Sequence, residues 1–127
     1  MQQESIYITT SKMAGAETTG TARTLAFFLN AKFQKRGSKT FRKIKEKAEK
    51  YGCKGIIIIE KDFIRFHPQK KQVKAKISVK KKSEVKLSDC AESSLFNTEH
   101  LKEMKKENII YIQNSKTRKI LEVKLSG

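Results

Sequence analysis

The stretch TFRKIKEKAEKYGCKGIIII, Thr40 to Ile59, decides the class of fold, because it reads as one helix running directly into one buried strand. Thr40 is placed as an N-cap, and Phe41, Ile44, Ala48 and Tyr51 recur three and four apart, which gathers them on one helical face. Gly52 stands at the C′ position, where a helix ends in the left-handed conformation. Ile56 to Ile59 is an unbroken β-branched run, the mark of a strand covered on both faces in the middle of a sheet. A capped helix feeding such a strand is half of an α/β unit.

Upstream, Lys32 to Arg36 reads as a short strand with Phe33 inward, ended by Gly37. Before it a helix is predicted around Ala22 to Asn30, with Leu25, Phe28 and Leu29 as its core stripe, entered from a Thr- and Gly-rich loop. Ile6 and Ile8 alternate with polar neighbours in Ser5 to Thr10, a first strand. Downstream, Phe63 to Phe66 is a strand closed by Pro68 and is expected to form a hairpin with a strand at 72–80. A third helix is predicted from Asn97 as N-cap, Phe96 stapled against Leu101, Met104 inward and Asn108 at the exit. Ile109 to Gln113 and Lys119 to Leu125 form a closing hairpin across Asn114 to Arg118. The expectation is a single α/β domain over residues 1–127, with a mixed sheet and about three helices.

Charge gives the partner class. Lys plus Arg number 29 against 13 Asp plus Glu, a formal +16 over 127 residues, and a field of that size attracts nucleic acid or an anionic membrane. Between Asp62 and Glu84 there is no acidic residue, and there Val73, Ala75, Ile77 and Val79 alternate with Lys74, Lys76, Ser78 and Lys80. A period of two puts the apolar set on one face of a strand and the lysines on the other, with Lys70, Lys71, Lys81 and Lys82 at its ends. Alternate strand residues lie about 7 Å apart, close to the phosphate spacing of an extended nucleic-acid strand. A membrane is the weaker partner: the chain has no Trp, its densest basic run reads as strand, and no apolar stretch approaches the roughly 20 residues that span a bilayer. Met1 to Ile8 lacks the regions of a signal peptide, so a soluble, cytoplasmic protein is expected, probing no small-molecule substrate and needing no cofactor.

Three chemistries are read as absent. Cys53 and Cys90 have no C-x-x-C spacing and only His67 and His100 as co-ligands, so a zinc site would need all four to converge; Cys53 reads instead as a small half-buried hydrophobe. Gly15-Ala-Glu-Thr-Thr-Gly20-Thr21-Ala22 has the two-glycine spacing of a phosphate-binding loop, but Thr21 replaces its Lys and Ala22 its magnesium-binding hydroxyl. What remains of that motif is a helix start whose N–H groups, with Arg23 beside them, would suit one backbone phosphate. Glu46, Glu49, Glu103 and Glu107 fall at helical spacings that suit ion pairs rather than catalysis, so no enzyme is expected.

Tyr7-Ile-Thr-Thr-Ser-Lys12, then Thr21-Ala-Arg-Thr-Leu25, then Phe33-Gln-Lys-Arg-Gly37, then Thr40-Phe-Arg-Lys-Ile and the Gly52-bounded β-branched strand follow an order that resembles the Brix-domain family, in its short archaeal form. The resemblance covers about the first half of the chain. Where the family has a Pro-Ser and basic stretch this chain has Ala14 to Gly20, and only Arg23 stands for the paired arginines. The resemblance implies two related halves similar to the anticodon-binding domain of class II aminoacyl-tRNA synthetases. It also implies a non-catalytic role in ribosome biogenesis, through precursor ribosomal RNA and pre-ribosomal particles. A monomer is expected, in the cytoplasm or, in a eukaryote, the nucleolus. The RNA-binding candidates are Lys12, Arg23, Lys35, Arg36, Lys39, Arg42, Lys43, Lys70, Lys71, Lys74, Lys76, Lys80, Lys81 and Lys82; Phe63, Phe66 or Tyr111 could stack bases, though core burial is the expected fate of each. The alternatives are a structural ribosomal protein and an RNA-processing enzyme.

Overall fold

The computed structural model describes residues 5–81, 90–92, 96, 101–114 and 119–126. The chain divides into two compact units, 1–73 and 74–127.

In the first unit, β1 (Ser5–Thr10), α1 (Ala16–Leu29), β2 (Lys32–Phe33), α2 (Phe41–Lys50), β3 (Cys53–Ile59) and β4 (Phe63–His67) follow in sequence. β1 runs parallel to β2 on one side and to β3 on the other, and β4 adds antiparallel to β3, so the sheet is mixed. The crossovers from β1 out to β2 and from β2 back to β3 travel in opposite directions, and with right-handed connections this sets the two helices on opposite faces. α2 closes one face, where Ile44 and Ala48 meet Tyr7, Ile56 and Ile58 and Cys53 packs against their edge. Fully burying a side chain such as Ile44 contributes about 1.5 to 3 kcal/mol. α1 packs on β1, β2 and β3 and buries Ala22, Leu25, Ala26, Phe28 and Leu29. The isoleucine run therefore earns its all-round burial, Ile56 to Ile59 each being at most 7% exposed.

The caps behave as the sequence dictates for α2. The Thr40 side chain accepts from the Lys43 N–H, and Gly52 takes φ 72° while its N–H reaches the Glu49 carbonyl at 3.0 Å. α1 differs from expectation: it starts at Ala16, so Gly20 and Thr21 lie inside the helix and no glycine loop exists there. Glu17 favours the first turn through the helix dipole, and Thr21 Oγ1 donates back to the Glu17 carbonyl at 3.1 Å, which lets a Thr-rich segment stay helical. Asn30 ends α1 in the left-handed region at φ 55°.

The second unit contains β5 (Lys71–Lys81), which starts in the first, followed by β6 (Ala91–Glu92), β7 (Leu101–Lys106), β8 (Ile109–Asn114) and β9 (Lys119–Leu125). Its strands lie in the order β5-β9-β8-β7-β6, all antiparallel. Ile112, Leu121 and Val123 share one face, have no exposed surface and mark its core, while Ile120, on the other face, is buried as well.

The third helix predicted from Asn97 to Asn108 is not formed over 101–108. Leu101–Lys106 is β7, paired residue for residue with β8 from Leu101↔Asn114 to Lys106↔Ile109. Leu101 and Met104 are spaced for a helix, but two apolar residues make no stripe wide enough to hold one, whereas the β-branched β8 beside them offers a complete ladder. Asn108, expected at a helix exit, closes the hairpin instead. Its Nδ2 donates to the Leu125 carbonyl at 3.2 Å and its own carbonyl accepts from the Leu125 N–H at 2.7 Å, beside Glu107 at φ 56°. Asn97 lies outside the described residues. Two helices are thus present among the described residues, both in the first unit.

Candidate nucleic-acid interface

The period-two reading of β5 holds. Ala75 is buried and Val73, Ile77 and Val79 are half-buried, while Lys74, Lys76 and Ser78 are exposed and Lys80 is half-buried. Antiparallel register then extends the polar face of β5 across three more strands, because directly paired residues share a face. One row runs Lys76, Lys124, Ile109, Lys106; the next Ser78, Glu122, Tyr111, Met104; the third Lys80, Ile120, Gln113, Lys102. Lys102, Lys106 and Lys124 are exposed and were missed in sequence, the first two because β7 reads as helix. Lys124 was legible, since Lys124 and Glu122 alternate with Val123 and Leu121.

Two features distinguish this face from an ordinary solvated one. Lys76 stands directly opposite Lys124, a like-charge pair that weakens a sheet. Among the described residues none of Lys74, Lys76, Lys80, Lys102, Lys106 and Lys124 makes an ion pair; the described pairs are Arg42 with Glu46 and Arg65 with Glu60, both in the first unit. A half-buried aromatic ring, Tyr111, lies between the two lysine-bearing rows. The one acidic side chain described on the face, Glu122, accepts a long 3.5 Å hydrogen bond from Ser78 Oγ.

The other candidates scatter. Lys81 pairs with Lys119 in the β5–β9 ladder, and its side chain, like all of Lys82, lies outside the described residues. Lys70 is exposed in the turn before β5 at φ 56°, and Lys71 Nζ lies 5.7 Å from the Phe66 ring centroid. Phe66 is 7% exposed, while Phe63 and Tyr111 are half-buried; Tyr111 lies on the face of the lysine rows.

In the first unit, Lys12, Lys35, Arg42 and Lys43 are exposed, and the Met13 N–H reaches the Gly37 carbonyl at 2.9 Å. Arg36, expected to hold phosphate, is instead a structural clip. It is 8% exposed, and its Nε and Nη1 donate to the carbonyls of Lys39 at 2.9 Å and Thr10 at 3.2 Å. Lys39 Nζ is also turned inward, onto the carbonyls of Lys35 and Arg36. Arg23 lies about two turns into α1, not at its start, with its guanidinium 5.5 Å from the Phe33 ring centroid. The phosphate seat expected from Arg23 beside the first-turn N–H groups is therefore not assembled.

The titratable groups outside these surfaces are occupied structurally. His67 stacks on Phe41 with ring centroids 4.6 Å apart, and burial, with Arg65 and Lys70 nearby, holds its imidazole below the ordinary range. Burial pushes the Cys53 thiol up, only partly offset by Lys32. Among the described residues no three His, Cys, Asp or Glu side chains converge as metal ligands, and no helix is long and apolar enough to cross a membrane. No protein-family model matches the chain, and a search of curated proteins finds no match.

Proposed function

We propose that the chain is a non-catalytic RNA-binding protein that engages precursor ribosomal RNA and assists its folding or pairing during subunit assembly. The observation that carries the reading is the β5–β9–β8–β7 face, where lysines without ion-pair partners among the described residues are set opposite one another at strand spacing. Such a face is held under repulsion until a polyanion neutralises it. Phosphate contacts made by lysines release counterions and read no base, so binding is salt-sensitive and reversible, as suits a factor that must leave the particle. The ribosomal destination rests on the likeness to Brix domains over β1, α1, β2, α2 and β3. Lysine, a mobile point charge, suits transient contact better than the bidentate lock of arginine.

Gradient sedimentation of a tagged chain, followed by crosslinking and sequencing of bound RNA, tests this. Enrichment with immature particles and crosslinks to precursor RNA are expected. Stoichiometric recovery in salt-washed mature subunits would make the chain a ribosomal component instead.

A further inference from the structure

We propose that the same sheet face selects single-stranded nucleic acid carrying an unpaired guanine, with Tyr111 stacking the base and Glu122 reading its edge. This rests on the RNA-binding reading above and adds a base preference to it. The central row decides it: Ser78, Glu122 and Tyr111 are consecutive cross-strand partners, so the carboxylate and the ring have Cβ atoms about 5 Å apart on one face. A base laid on the ring brings its Watson–Crick edge toward the carboxylate.

An acid in the middle of a lysine face is costly for phosphate binding and needs its own reason. Ion pairing is not that reason, since Glu122 makes no ion pair with a described residue. Its one hydrogen bond among the described residues, from Ser78 Oγ at 3.5 Å, leaves most of its acceptor capacity unused there. A carboxylate accepts two parallel hydrogen bonds from guanine N1–H and N2–H₂. Adenine and cytosine offer it one donor beside an acceptor, and uracil one donor between two carbonyls. The lysine rows on either side, each about 7 Å away along the strands, supply the flanking phosphate contacts. Ring, acceptor and cations therefore fall in the order base, base edge, backbone.

Fluorescence anisotropy on the whole chain tests it, with a labelled oligouridine of about ten nucleotides, a length within the range for single-strand sites, and the same oligomer carrying a central guanosine. The guanosine oligomer should bind about tenfold more tightly, the discrimination expected of one good bidentate pair. Glu122→Gln should collapse that preference to within about twofold without weakening oligouridine, because one bidentate acceptor is lost and a repulsive charge removed. Tyr111→Leu, which keeps an apolar side chain at the position, should weaken both oligomers about tenfold through lost stacking. Circular dichroism checks that each variant folds. The same preference in the deoxy series would assign the reading to the base alone; a preference confined to RNA would add the 2′-hydroxyl to the contacts. Equal binding of the two oligomers by the wild type, or an unchanged preference in Glu122→Gln, overturns the inference and leaves the RNA-binding reading standing. Failure to bind either oligomer overturns both.

Discussion

Replacing Lys74, Lys76 and Lys80 together by Gln isolates the electrostatic contribution of β5. For single strands the slope of log K against log salt is about −0.7 per neutralised phosphate, so losing three contacts should flatten it by about 2. At about 0.1 M salt each such contact is worth about fivefold in affinity, so the triple variant should bind about a hundredfold more weakly, or about 3 kcal/mol. Stability should fall little, because the apolar side of the strand is untouched and the exposed Lys74 and Lys76 changes shift stability by less than about 0.5 kcal/mol each, the half-buried Lys80 somewhat more. It should gain slightly from the Lys76 change, which removes the repulsion with Lys124 across the ladder. The assay is a binding titration against single-stranded RNA at four or so salt concentrations, with thermal unfolding alongside. The control is Lys43, Lys47 and Lys50 to Gln on α2, a smaller loss being expected there. An unchanged slope in the β5 variant, or a deeper loss in the α2 variant, would refute the placement of the RNA.

Three further outcomes follow from the first unit. Gly37→Val should destabilise the fold by about 1 to 3 kcal/mol in chemical denaturation, since φ is 59° and a β-branched residue is strained there. No atom lies within 4 Å of the added Cβ, so the cost is conformational, and Gly37→Asn should recover most of it. Arg36→Ala should cost about 1 to 3 kcal/mol by freeing two carbonyls while leaving the salt slope of RNA binding unchanged; a flattened slope with normal stability would return Arg36 to the phosphate contacts. His67, whose imidazole is held below its ordinary value, binds protons less readily folded than unfolded, so stability is complete above about pH 6.5 and declines as pH falls through that value toward the folded one. His67→Phe should flatten that decline in unfolding curves taken from neutral to mildly acidic pH.

Much of the first unit was legible because its signals are local and agree with one another. Thr40, Gly52 and Ile56 to Ile59 each specify one backbone state that the tertiary packing then uses, and the positive φ of Gly37 follows from the same reasoning. The start of α1 was not legible, since Thr and Gly are weak helix formers and the segment is kept helical by the face it buries later, at Ala22 to Leu29. β7 was misread because Leu101 and Met104 fit a helix period, and what overrides it is pairing with β8, whose partner for Leu101 is Asn114, thirteen residues on. The same non-locality hid the lysine face. Lys76, Lys106 and Lys124 become neighbours only through register, and no window on the sequence contains them all. Arg36 failed for the opposite reason: a basic residue beside a glycine turn reads as exposed, and burial is decided by the Thr10 carbonyl reached across the fold.

The ladder between β5 and β9 also bears on how the chain folds. Ser78 and Glu122 are 44 residues apart, so when β5 leaves the ribosome the edge that β9 will occupy stays open until much of the second unit has been synthesised. An open strand edge with hydrophobic character is a template for pairing with other chains. Here every second residue from Lys74 to Lys80 is charged or hydroxylated, and lysines on an exposed edge oppose stacking of one nascent chain on another. The lysines of β5 are thus suited to a role during synthesis, as gatekeepers opposing association of a long-range strand that waits for its partner.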